Sequence, residues 1–214
     1  MRTPSTRWRV VLPVKGGRTA KSRLARDAAA RRQLAEAVAL DTLAAVLACP
    51  AVDDVVVVTG DARAAAAVTA AGARVVDESV PGAGLDAAVR DGLAVLPDAP
   101  VAVLLADVPA LRPADLSSAL EGAAGLLAAG APSVVVPDAE GTGTVLLAAP
   151  GSRGLRTAFG PGSAAAHEAL GAVRFEPDLP RLRRDVDTPA DLEQALALGV
   201  GPRTAELSVG RQPA

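Results

Sequence analysis

Apolar runs of strand length alternate with alanine-rich windows of helical length along the chain, and turn residues mark the joints. Trp8 to Val14 reads as a first buried strand. A Gly- and Lys-rich loop follows, then a long helix to about Cys49, with Leu40, Leu43 and Leu47 on one face and Pro50 as its stop. Val55 to Thr59 is an uninterrupted β-branched run, the mark of a central strand buried on both faces. Asp61 caps the next helix and Gly72 closes it with a left-handed residue. Arg74 to Val76 predicts a short strand, Leu85 to about Leu96 a helix, and Val101 to Leu105 another apolar strand. Pro113 suits a first helical turn and opens a helix to about Ala129. Ser133 to Pro137 and Thr144 to Ala149 predict two strands around the turn Asp138 to Gly141. Ser163 starts a helix to Leu170, Val173 to Glu176 is a late strand, and Thr188-Pro189-Ala190-Asp191 is a helix start.

This alternation predicts an α/β fold with a mostly parallel sheet covered on both faces. Sheets of this kind bind ligands beyond the carboxyl ends of their strands, so residues just after strands are the ones to weigh. No internal repeat or linker divides the chain. Residues 1–200 are expected to form one domain, and 201–214, where the pattern dissolves into Gly, Pro and Ser, a loosely ordered tail.

Composition narrows the function. The 214 residues are 50% hydrophobic, much of it alanine, so Val and Leu must supply most of the buried area. Two Phe, one Trp and no Tyr leave little for stacking on nucleic-acid bases, and a net charge of −2 provides no basic field to attract DNA or RNA. A single cysteine, Cys49, excludes an intramolecular disulfide and a Cys-cluster zinc site. The apolar run Val10 to Val14 is too short for a signal peptide, and nothing approaches the roughly 18 apolar residues of a membrane span. A cytoplasmic protein without nucleic-acid or membrane partners is expected; the oligomeric state has no signature.

Four segments can carry chemistry. The loop after the first strand combines Gly16 and Gly17 with Lys15, Arg18, Lys21 and Arg23, so amides and cations can meet a polyphosphate there. Asp107 emerges from a buried strand at the ligand face, a place suited to a Mg²⁺ ligand. Asp185 and Asp187 stand two apart, on one side of an extended segment, and need either a shared cation or the arginines at 181, 183 and 184 to compensate them. Gly141 to Thr144 and Phe159 to Ser163 offer hydroxyls and free amides to a compact anion, or else ordinary turn and capping chemistry. His167, the only histidine, could act as a base, but a packed or exposed helical residue is the commoner reading, and its isolation argues against a histidine metal site or triad. A basic loop, dispersed aspartates and anion-binding amides, with no evident base or nucleophile, describe phosphoryl-type transfer.

The segments LPVKGGRTAKSRLA, LLADVPALRPADL, GTGT, FGPGSAAAHEALG and DVDTPADL, spanning Leu12 to Leu192, together resemble the guanylyltransferases of coenzyme F-420 biosynthesis, which act on 2-phospho-L-lactate or phosphoenolpyruvate. The resemblance implies a nucleotide-diphosphosugar-transferase-like (Rossmann-like) three-layer α/β sandwich with a mixed sheet. It implies GTP as donor, Mg²⁺ as cofactor and pyrophosphate as by-product. By motif, Asp107, Asp185 and Asp187 would hold Mg²⁺, and Thr144, Gly160 and Ser163 would receive the acid's carboxylate end. Lys15 and Lys21 would meet the phosphates, with Arg23 and Gly84 also on the nucleotide side. One departure is Gly84-Leu85-Asp86 where related enzymes have Gly-Leu-Asn, so a carboxylate replaces an amide. The first loop also lacks the G-G-x-S-x-R-M-G-type signature of molybdopterin guanylyltransferases. Another phosphorylated acceptor, such as a sugar phosphate or phosphoglycerate, and a non-catalytic nucleotide-binding module are the alternative readings.

Overall fold

The computed structural model describes residues 7–14 and 27–208. The chain runs β1 (Trp8–Pro13), α1 (Ala28–Leu47), β2 (Val52–Val58), α2 (Ala62–Ala70), β3 (Arg74–Val76), α3 (Leu85–Ala94), β4 (Val101–Leu104) and α4 (Pro113–Ala128). There follow β5 (Val134–Pro137), β6 (Thr144–Ala149), α5 (Ser163–Ala169), β7 (Val173–Arg174), α6 (Pro180–Arg183), α7 (Pro189–Leu198) and α8 (Pro202–Ser208). The strands form one sheet in the order β3-β2-β1-β4-β6-β5-β7. β6 runs antiparallel to β4 and β5; the other pairings are parallel.

Both faces of the sheet are dry, and the period of two sorts the valines between them. Val10 and Leu12 of β1, Val55 and Val57 of β2 and Leu104 of β4 pack beneath α1, α2 and α4, against Leu43, Val68, Leu116 and Leu120. Val11, Val56, Val58, Val101 and Val103 face the other way, onto Val89 and Leu93 of α3 and toward Phe159. Three layers result. Gly92 sets how closely α3 approaches, since a Cβ there would lie 2.5 Å from Val11 Cγ1 and 2.9 Å from Val58 Cγ2.

Caps fall where the sequence places them. Asp61 accepts from the amides of Arg63 and Ala64, and Gly72 follows α2 with φ +89°. Thr188 and Asp191 form a reciprocal capping box on α7. Two expectations need correction. The α1 stripe is Leu34, Ala37, Val38, Asp41, Thr42, Leu43, Ala45 and Val46, while Leu47 is exposed, because small and polar residues share the buried face. The segment expected to be loose from Gly201 onward holds α8 instead, fixed to α1 by Asp41, whose buried carboxylate accepts from the Thr204 amide at 2.7 Å. Residues 209–214 lie outside the described residues.

Candidate active site

β1 and β4 lie side by side although the chain leaves them in opposite directions, outward to β2 and β3 from one and toward β6 from the other. Where connections diverge along a sheet in this way, a crevice is left at the carboxyl ends of the strand pair. A cleft of about 570 Å³ opens there, floored by Pro13, Val14 and the Leu105-Ala106-Asp107 turn. Asp185 and Asp187 form one wall, and Thr142 to Thr144 with Phe159 to Ser163 form another.

The aspartates converge through backbone geometry. The Val186 amide donates to the Asp107 carbonyl at 3.0 Å, stitching the segment before α7 to the end of β4. Val186 is fully buried among Leu34 and Val38 of α1 and Leu192 and Ala195 of α7. In an extended segment its neighbours then face the opposite way, into the cleft. The basic side chains before them make other bonds: Arg181 donates to the Leu198 carbonyl, Arg183 to the carbonyls of Pro137 and Asp138, and Arg184 pairs with Glu140 and Asp191.

A further carboxylate, Asp138, joins them from the end of β5. Its two oxygens accept from the amides of Thr142 and Gly143 at 2.9 and 2.7 Å, which shapes the turn into β6. A Cβ on Gly143 would collide with that carboxylate. Oxygens of Asp138, Glu140 and Asp185 also approach within 4.8 Å of one another. Burial first, then repulsion from Asp107, Asp187 and Asp138, raises the Asp185 pKa to about 8.

A proton held that tightly marks a place where positive charge is wanted. Hard carboxylate oxygens on an open cleft fit Mg²⁺, which takes one or two carboxylates and fills its shell with water and phosphate oxygens. Among the described residues lining the cleft none is basic.

Thr144, Gly160 and Ser163 also line the cleft. The Ala164 amide donates to the Thr142 carbonyl at 3.1 Å, joining α5 to the β5–β6 turn. Gly160 and Gly162, at φ +144° and +71°, let the loop expose its backbone to the cleft. His167 is fully buried behind this wall. Its Nδ1 lies 3.0 Å from Thr144 Oγ1, its Nε2 accepts from the Ala158 amide at 3.0 Å, and Phe159 packs edge-on to its ring. Burial lowers its pKa, outweighing the opposite pull of Asp86 and the Ser163 backbone. Asp86 in turn accepts from the Phe159 amide at 3.0 Å, so it steadies the same loop. Asp138, Asp86 and His167 were not assigned to the site from the sequence; only the four-residue step from Ser163 to His167 hints at a link, since it places both on one side of α5.

Gly84 stands at the N-cap of α3 with φ +98°, and its neighbour Leu85 lines the cleft. Lys15, Lys21 and Arg23 lie outside the described residues, although Val14, just before them, is on the cleft floor.

The MobA-like NTP transferase domain family matches residues 16–180. A phosphoenolpyruvate guanylyltransferase of Salinispora arenicola is 53% identical over 203 residues, covering 94% of this chain and 92% of that one. Its counterpart in Streptomyces coelicolor is 50% identical over 208 residues, covering 94% and 95%. A nucleotidyl transferase from Methanothermobacter shares the fold, with a TM-score of 0.66 at 21% identity over 90% of this chain and 97% of that one. The chain belongs to the MobA-like NTP transferase family and, within it, groups with the phosphoenolpyruvate guanylyltransferases.

Proposed function

We propose that this protein transfers the guanylyl group of GTP to the phosphate of phosphoenolpyruvate or 2-phospho-L-lactate, releasing pyrophosphate, as a cytoplasmic step of coenzyme F-420 biosynthesis. One observation carries the reading: a carboxylate cluster and a set of hydroxyls and glycines line one cleft at the sheet's switch point. Relatives at about half identity bear the corresponding activity in their names.

The acceptor's phosphate is ionised at neutral pH, so it attacks the α-phosphorus without a general base while the bond to the β-phosphate oxygen breaks. The enclosure fits that requirement, since the sole histidine is buried with both ring nitrogens engaged. Asp107, Asp185 and Asp187 would hold Mg²⁺, which when bound supplies charge neutralisation between two polyanions, worth several kcal/mol in such reactions. Thr144, Gly160 and Ser163 orient the acceptor by its carboxylate. Lys15, Lys21 and Arg23 would meet the GTP phosphates, with Gly84 bordering the nucleotide.

The test is an acceptor screen with mass detection. Product is expected only when GTP, Mg²⁺ and phosphoenolpyruvate or 2-phospho-L-lactate are all present. Asp107→Asn and Asp187→Asn should each lower kcat by about a hundredfold or more, as loss of several kcal/mol requires. Unchanged turnover in both would refute the metal assignment, and tight GTP binding without turnover on any acceptor would refute the reaction.

A further inference from the structure

We propose that His167 is a positioning residue of the acceptor site: by donating its ring proton to Thr144 it makes that hydroxyl a dedicated donor toward an acidic acceptor. The inference rests on the acceptor reading above.

A backbone amide can only donate. Because the Ala158 N–H points at Nε2 from 3.0 Å, that nitrogen must present its lone pair, and the ring's single proton must sit on Nδ1. Nδ1 is 3.0 Å from Thr144 Oγ1, so the hydroxyl oxygen receives that proton. The hydroxyl's own proton is then left for the cleft that Thr144 lines. The opposite tautomer would reverse this polarity: the hydroxyl would spend its proton on the ring and face the cleft with lone pairs alone. A carboxylate only accepts hydrogen bonds, so the tautomer decides whether this wall attracts or repels it.

The same imidazole also ties together two pieces of the wall from distant parts of the chain. Its Nε2 holds Ala158 at the head of the loop containing Gly160 and Ser163, while Nδ1 holds Thr144 at the start of β6. Phe159 between them is gripped on one side by its ring contact, centroids 4.8 Å apart, and on the other by the Asp86 carboxylate. The groups acting on the ring are Asp86 from α3 and the Ser163 backbone of its own helix; Glu168, the adjacent helical carboxylate, pairs with Arg174.

Since the chain contains one histidine, long-range proton–nitrogen NMR on tag-free protein reports this ring alone. The expected spectrum at neutral pH is that of the Nδ1–H tautomer; an Nε2–H tautomer or a cationic ring overturns the proposal. In kinetics, His167→Gln keeps an acceptor for Ala158 but loses the donor to Thr144. It should raise KM for phosphoenolpyruvate about tenfold or more, the value of one charge-assisted hydrogen bond, and leave KM for GTP unchanged. His167→Asn, whose amide can occupy the Nδ1 position, should recover most of that loss. Combined with Thr144→Val, His167→Gln should add little further. Equal effects on both substrates, or fully additive ones, would show a merely structural role and overturn the proposal. Turnover by the wild-type enzyme separates the two ideas: without activity on either acid the acceptor reading falls and takes this role with it, whereas activity with the wrong tautomer removes only the role of His167.

Discussion

Asp185 is kept from its ordinary charge state by burial and by the aspartates around it, with a pKa of about 8. Between the usual carboxylate value and about 8, the ion-free folded protein holds a proton that the unfolded chain releases. Stability without a divalent ion should therefore be greatest below that window and fall as pH rises through it. Asp185→Asn removes the titration. In EDTA the variant should unfold several degrees higher than wild type at about pH 8.5, with the gap closing toward about pH 4, while its turnover is lost. Calorimetric scans across pH check the slope; equal slopes in the two proteins would disprove the coupling. Asp107, Asp185 and Asp187 were legible because a carboxylate after a strand and a two-residue spacing are local signals. Asp138 was not: its sequence context is an ordinary turn, and its membership depends on Asp185 arriving from a segment 47 positions on. Asp86 looked like a loss of the amide donors of Asn, yet the contact it makes here is as an acceptor from Phe159. His167 could be identified as a helical residue, but its hydrogen bonds to Thr144 and Ala158 arise only when β6 and the loop fold around it.

Strands were more readable than helix faces. β3 and β6 begin and end where the sequence pattern puts them, because runs buried on both faces are almost purely apolar and turn residues bound them. For α1 the leucine spacing misled: alanines, a threonine and a buried aspartate share the packed stripe, and α8 covers part of what looks like a solvent face. α6 is a single short turn with no period to detect. The close seat of α3 follows from one residue whose reason is visible only in three dimensions. Gly92→Ala would push a methyl into Val11 and Val58, and overpacking of this kind costs about 1–3 kcal/mol. Because α3 also bears Leu85 on the cleft and Asp86 on the Phe159 loop, moving the helix should raise KM for the substrates as well. Urea titration with steady-state kinetics on the same preparation checks both. A stability loss with unchanged KM would mean that the helix end is insulated from its middle.

At the scale of the molecule, the cleft depends on contacts that reach it from both ends of the chain. Val186 places Asp185 and Asp187 by packing on Leu34 and Val38 of α1, and the next turn of α1 supplies Asp41, which receives the start of α8. Asp41 accepts from the amides of Arg203 and Thr204, at 3.3 and 2.7 Å, and its Oδ1 lies 3.6 Å from the Arg203 guanidinium. The last helix is therefore part of the cooperative unit. Its anchor is legible only in the fold, since Asp41 and Thr204 are 163 positions apart. Asp41→Ala strands those amides without a partner, a cost of about 1–3 kcal/mol. For a domain of this size that lowers the melting temperature by roughly 3–10 °C. The cleft side chains are untouched by the substitution, so kcat well below the new transition should stay near that of wild type. Thermal unfolding and hydrogen exchange of the α8 amides distinguish the outcomes. Faster exchange in α8 with an unchanged melting temperature would mean that the helix is an independent appendage, whereas faster exchange with a lower transition is what a helix integral to the domain requires.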